Sequence, residues 1–68
     1  MFEHLLVGLK VKLKREHKYL GLTKGRIGII TEVESNPKIA PNVYVQFKMK
    51  NKKTINIGFM VYEVERVI

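Results

Sequence analysis

The chain contains no cysteine, and in a protein of 68 residues that absence sets the terms of folding. A domain near this size buries only about 60% of the surface its unfolded chain exposes. Small scaffolds commonly make up the deficit with disulfides or a thiolate-bound zinc ion. Neither is open here, so apolar packing must hold the fold, alone or in an oligomer. The length allows one domain, residues 1–68, with Met1 to His4 as a loose end.

Residue preference then selects strands. Val, Ile and Thr supply 18 residues and Ala40 is the only alanine, a balance that favours pleated strands over helices. Leu9, Val11 and Leu13 alternate with Lys10, Lys12 and Lys14, a period of two that buries one face and leaves three ammonium groups on the other. A long loop follows from Arg15 to Gly25, with Leu20 and Leu22 folded back onto the core. The second strand runs from Ile27 to Glu34 and holds Gly28, which marks a bulge, a bend or a close backbone approach. Ser35 to Lys38 and Pro41-Asn42 read as turns.

A third strand, Val43 to Met49, puts Val43, Val45 and Phe47 inward, and Asn51 to Lys53 form a hairpin tip. The fourth strand turns Ile55, Ile57 and Phe59 inward. A short turn through Tyr62 then leads to a last strand in which Val64 and Val67 or Ile68 meet the core. Five brief strands in so short a chain are best protected by closure, since closure removes exposed sheet edges. The expected fold is all-β, a five-stranded SH3-like small barrel.

Charge is the second constraint. The chain carries 13 Lys and Arg against 6 Asp and Glu, a net +7. Residues 1–31 hold seven basic and two acidic groups, and residues 38–53 hold five lysines and no acid. Glu32 and Glu34 separate the blocks, which can converge only in the fold. Basic side chains on strand one (Lys10, Lys12, Lys14), in the long loop (Arg15, Lys18, Lys24, Arg26) and around the second hairpin (Lys48, Lys50, Lys52, Lys53) suit a phosphate backbone. Tyr19, with His17 beside it, is placed in the loop to stack on bases, or to cover the end of the barrel. Tyr44 can stack on a base or pack across strands. The lysine row also serves as a solvated strand edge that blocks aggregation.

The segment Lys24-Gly25-Arg26-Ile27-Gly28-Ile29-Ile30-Thr31-Glu32-Val33 resembles the KOW motif of ribosomal and transcription-elongation proteins. Gly8-Leu9-Lys10-Val11-Lys12-Leu13 is similar to that family's opening. Two departures stand out: the stretch from Gly8 to Gly25 is longer than the family's, and Leu9 replaces its acidic residue. The resemblance implies an SH3-like barrel that binds DNA or RNA in transcription or translation. Asn56-Ile57-Gly58-Phe59, followed by the acidic and valine residues up to Val67, resembles the tail of the photosystem I small stromal subunit. That family implies the alternative, a module docking an acidic protein partner.

Catalysis is not expected. The chain has no Asp, Ser35 is its only serine, and His4 and His17 are its only histidines. A general acid–base pair would need remote glutamates. His4, His17 and Glu16 are conceivable metal ligands, but read as surface residues. Thr54-Ile55-Asn56-Ile57-Gly58 occupies the place of the active strand in type II dihydrofolate reductases, which it resembles, without their cofactor-binding side chains. No cofactor is expected. No apolar run approaches the roughly 18 residues needed to span a bilayer. The first residues lack a basic n-region and cleavage site, so the expected location is cytoplasmic.

Overall fold

The computed structural model describes residues 5–36 and 38–67. Five antiparallel strands form one sheet: β1 (Lys10–Leu13), β2 (Ile27–Val33), β3 (Val43–Lys48), β4 (Thr54–Phe59) and β5 (Val64–Arg66). Their order across the sheet is β4-β3-β2-β1-β5. The first four strands form a meander, and β5 returns to the free side of β1 after a one-turn 3-10 helix at Val61–Glu63. This is the expected all-β small barrel of SH3-like order.

Alternation explains the core. Val11 and Leu13 of β1, Ile30 of β2, Val43, Val45 and Phe47 of β3, Phe59 of β4 and Val64 of β5 are buried together with Leu5 and Leu22. Phe47 and Phe59 meet edge to face, with ring centroids 6.0 Å apart, a favoured aromatic geometry. Ile55 and Ile57 pack against the core but stay half-buried; Val67 is half-buried outside that cluster. Ile68, Pro37 and Met1 to His4 lie outside the described residues.

Three strands are shorter than the alternation predicts, because hydrogen bonding overrides the pattern at their ends. The Leu9 amide donates to the Leu6 carbonyl in a turn, so β1 begins at Lys10. At the other end of β1 the Lys14 amide donates to Glu63, outside the β1–β2 ladder. Met49 opens the hairpin turn, donating to Lys53 and accepting from Lys52. Strand β2 ends at Val33, although the Glu34 amide still reaches the Asn42 carbonyl.

The close backbone approach falls at Gly28, and the bulge follows further along the same strand. Gly28 pairs with Val11 and points inward. A Cβ there would lie 2.5 Å from Val45 Cγ1, 2.8 Å from the Gln46 carbonyl oxygen and 2.8 Å from Phe47 Cε1. The register with β3 then shifts between Ile30 and Glu32, which adds local twist to the strand.

Buried Asn42 ties the far end of the barrel. Its Oδ1 accepts from the Val61 amide at 2.9 Å, its Nδ2 donates to the Ile39 carbonyl and its own amide donates to Phe59. The β2–β3 loop is thereby bound to the segment leading into β5.

Substituting Gly28→Ala forces the added methyl against β3 and should lower unfolding free energy by about 1–3 kcal/mol. Chemical denaturation measures this directly. A change within about 0.5 kcal/mol would show that β2 and β3 are not in the close contact described.

Candidate nucleic-acid interface

The outer face of the sheet is built by the residues that alternate with the core. Lys10 lies opposite Ile29, Ile29 opposite Gln46 and Gln46 opposite Asn56, one row across four strands. Lys12 lies opposite both Ile27 and Glu65, and Lys48 opposite Thr54. Directly opposed residues share a face. Lysines from both charge blocks therefore stand on the same surface.

Two shallow depressions lie on it, and a third opens beside it at the hairpin end, where Ile55 comes from the inward row of β4. Lys10 and Lys48 line one of about 290 Å³, floored by Ile27, Gly28 and Ile29. Lys12, Lys14 and Lys24 line a second beside Gly25 and Glu65. Gly25 takes a positive φ of 85° there, which a side chain disfavours, and its amide donates to Leu13, closing the loop onto β1. The third is a groove of about 560 Å³ between the loop and the β3–β4 hairpin. Arg26, Lys50 and Lys53 edge it, with Leu20, Met49 and Ile55 as its apolar lining.

Arg26 joins the two sequence blocks. Its Nη2 donates to the Lys48 carbonyl, so a guanidinium from the loop is fixed to the end of β3. Two acidic groups lie toward the β2–β3 loop: Glu32 of β2 opposes Tyr44, and Glu34, just past the strand, accepts from the Asn36 amide. Basic and acidic groups thus occupy opposite ends of the strand. On the basic half, Glu65 faces Lys12 with a 4.0 Å ion pair, an exposed contact of about 0–1 kcal/mol.

Other sequence-predicted residues are placed differently. Arg15 donates to Glu63 at 3.1 Å, in a cluster apart from the three depressions. Lys18 opens a one-turn 3-10 helix, Lys18–Leu20, and Tyr19 within it is 84% exposed; neither lines a depression. Lys52 sits at the hairpin tip with a φ of 66°. Tyr44 is half-buried, against the position a Gly58 side chain would take.

His17 departs from the expectation of a loop ring free to stack. It is 3% exposed, packed edge to face on Phe59 with centroids 5.1 Å apart. A β-bridge to Leu22, with both amides donating, folds the loop back and carries Leu22 into the core. His17 Nε2 has no hydrogen-bond partner and lies 3.7 Å from Glu63 Oε2. Among the described residues, no three His, Cys, Asp or Glu side chains are grouped to hold a metal ion. His4 lies outside them.

Two parts of this surface are not anticipated by sequence. Ile27 and Ile29 are 51% and 43% exposed in the middle of the face. Their orientation follows from Gly28, since a glycine pressed against β3 sends both neighbours outward. Leu20, Met49 and Ile55 carry no local signal, because only the fold brings loop and hairpin together.

Comparison with protein-family models, with curated proteins and with solved structures finds no match to this chain. Among the described residues, no helix is long and apolar enough to cross a membrane.

Glu63 anchors the loop from beneath: Oε1 accepts from the Met60 amide at 2.9 Å and Oε2 from Arg15. Glu63→Ala should lower stability by about 2 kcal/mol, the scale of hydrogen bonds to a charged group. Thermal or urea unfolding reads it, and an unchanged midpoint would show that Glu63 does not anchor the loop.

Proposed function

We propose that this protein is a non-catalytic nucleic-acid-binding small barrel, acting in transcription or translation through its basic outer face. The observation that carries the reading is convergence. Lys10 and Lys48 come from separate charge blocks yet line one depression, and Arg26 of the first block is bonded to the backbone of the second. Cations gathered on one face neutralise successive phosphates and release their counterions, which gives affinity without sequence readout. Lys12, Lys14, Lys24, Lys50 and Lys53 extend the same half of the surface. The acidic residues of β2 at the opposite end orient the protein on a polyanion.

A second reading, docking of an acidic protein segment, draws on Ile27 and Ile29. Exposed aliphatics amid lysines offer a partner both apolar contact and charge. It predicts binding that survives moderate salt and saturates with one protein partner.

Titration with labelled DNA and RNA across a salt series separates the two. The nucleic-acid reading predicts a steep fall in affinity with salt. It also predicts that the double variant Lys10→Gln/Lys48→Gln flattens the log–log slope by about 1.5, the loss of two phosphate contacts. An unaltered slope removes the β1–β3 lysines from the interface, and no binding at low salt contradicts the reading altogether.

A further inference from the structure

The groove between the loop and the β3–β4 hairpin differs from the rest of the basic face in being concave and apolar at its base. Its volume, about 560 Å³, falls in the range of pockets that enclose small organic groups. Leu20, Met49 and Ile55 line it, while Arg26, Lys50 and Lys53 provide charge. Resting on the nucleic-acid reading above, we infer that this groove seats an unpaired base of single-stranded nucleic acid. The Arg26 guanidinium is the stacking plate, and Lys50 and Lys53 hold the flanking phosphates.

Two general constraints and two observations of the groove carry the inference. A duplex keeps its bases stacked inside and offers only phosphates and groove edges, so it has nothing to place in a concave apolar site. A single strand can splay a base out, and such bases stack on aromatic rings or on arginine planes. Among the described residues the groove has no aromatic lining, but it contains a guanidinium already tethered. Arg26 Nη2 is bonded to the Lys48 carbonyl, which tethers the guanidinium at the groove before a ligand arrives and reduces the side-chain freedom lost on binding. Met49, whose polarizable thioether adapts to irregular contacts, lines the same space.

The site takes a base chiefly through its π-face and apolar area, which every base offers. Sequence tolerance follows.

The test compares oligouridine, oligothymidine, a duplex of equal length and polyglutamate by fluorescence anisotropy at one salt concentration. It is paired with ¹³C-methyl NMR of Met49. The single strands should bind at least about fivefold more tightly than the duplex, and the Met49 methyl should move upfield under the ring current of a seated base. Arg26→Lys keeps the charge and loses the plate, so it should reduce the ratio of single-strand to duplex affinity by about fivefold. Its fold is checked by the same methyl spectrum without ligand. Equal or tighter duplex binding, a stationary Met49 methyl, or an undiminished ratio in Arg26→Lys would each overturn the inference while the basic-face reading stands. Failure of every nucleic acid to bind, or tighter binding of polyglutamate, would remove both.

Discussion

The contact between Gly28 and β3 is the constraint from which the rest of the molecule follows. Val45, Phe47 and the Gln46 carbonyl occupy the space a side chain would need, so β3 fills the room on β2 that only a glycine leaves. The bulge after Ile30 adds twist within two residues. Together they let a short sheet curl around Val45, Phe47 and Phe59, and a chain without disulfides needs that enclosure. The same contact fixes the parity of β2. With Gly28 inward, Ile27 and Ile29 must face out, and Arg26 arrives beside the end of β3.

Two ends of the barrel then serve different purposes. At the β2–β3 loop end, Asn42 binds the loop to the segment leading into β5 through its side chain and its amide. Nearby in the fold, Glu63 holds Met60 and Arg15, with His17 buried against Phe59. These polar contacts give a loop rich in backbone donors the partners it would otherwise lack. At the hairpin end, the ion pair found among the described residues is the long contact between Lys12 and Glu65. Arg15, by contrast, is engaged by Glu63 at 3.1 Å while its side chain stays largely exposed.

How much of this is legible in the sequence depends on whether the signal is local. The alternation of Val43, Val45 and Phe47 marks an inward face because strand periodicity is a property of consecutive residues. The β1 pattern of lysines and aliphatics is equally plain. Strand ends are not, since Leu9 and Met49 are drawn into turns whose partners the pattern does not reveal. His17 reads as a loop ring because nothing near it in sequence announces the bridge to Leu22 or the contact with Phe59, 42 positions away. The contact of Arg15 is hidden for the same reason: its partner, Glu63, is 48 residues distant. The charge blocks are visible as composition, but their meeting depends on the strand order β4-β3-β2-β1-β5, which no local pattern encodes.

The central claim is that these two blocks form one working surface. Amide chemical-shift mapping of the ¹⁵N-labelled protein with a short oligonucleotide tests it most directly. Perturbations are expected at Lys10, Lys12 and Arg26 in the first block and at Lys48 and Lys50 in the second, moving together at a single apparent affinity. Perturbations confined to one block, or centred on the Ile39 and Tyr62 end of the barrel, would contradict it.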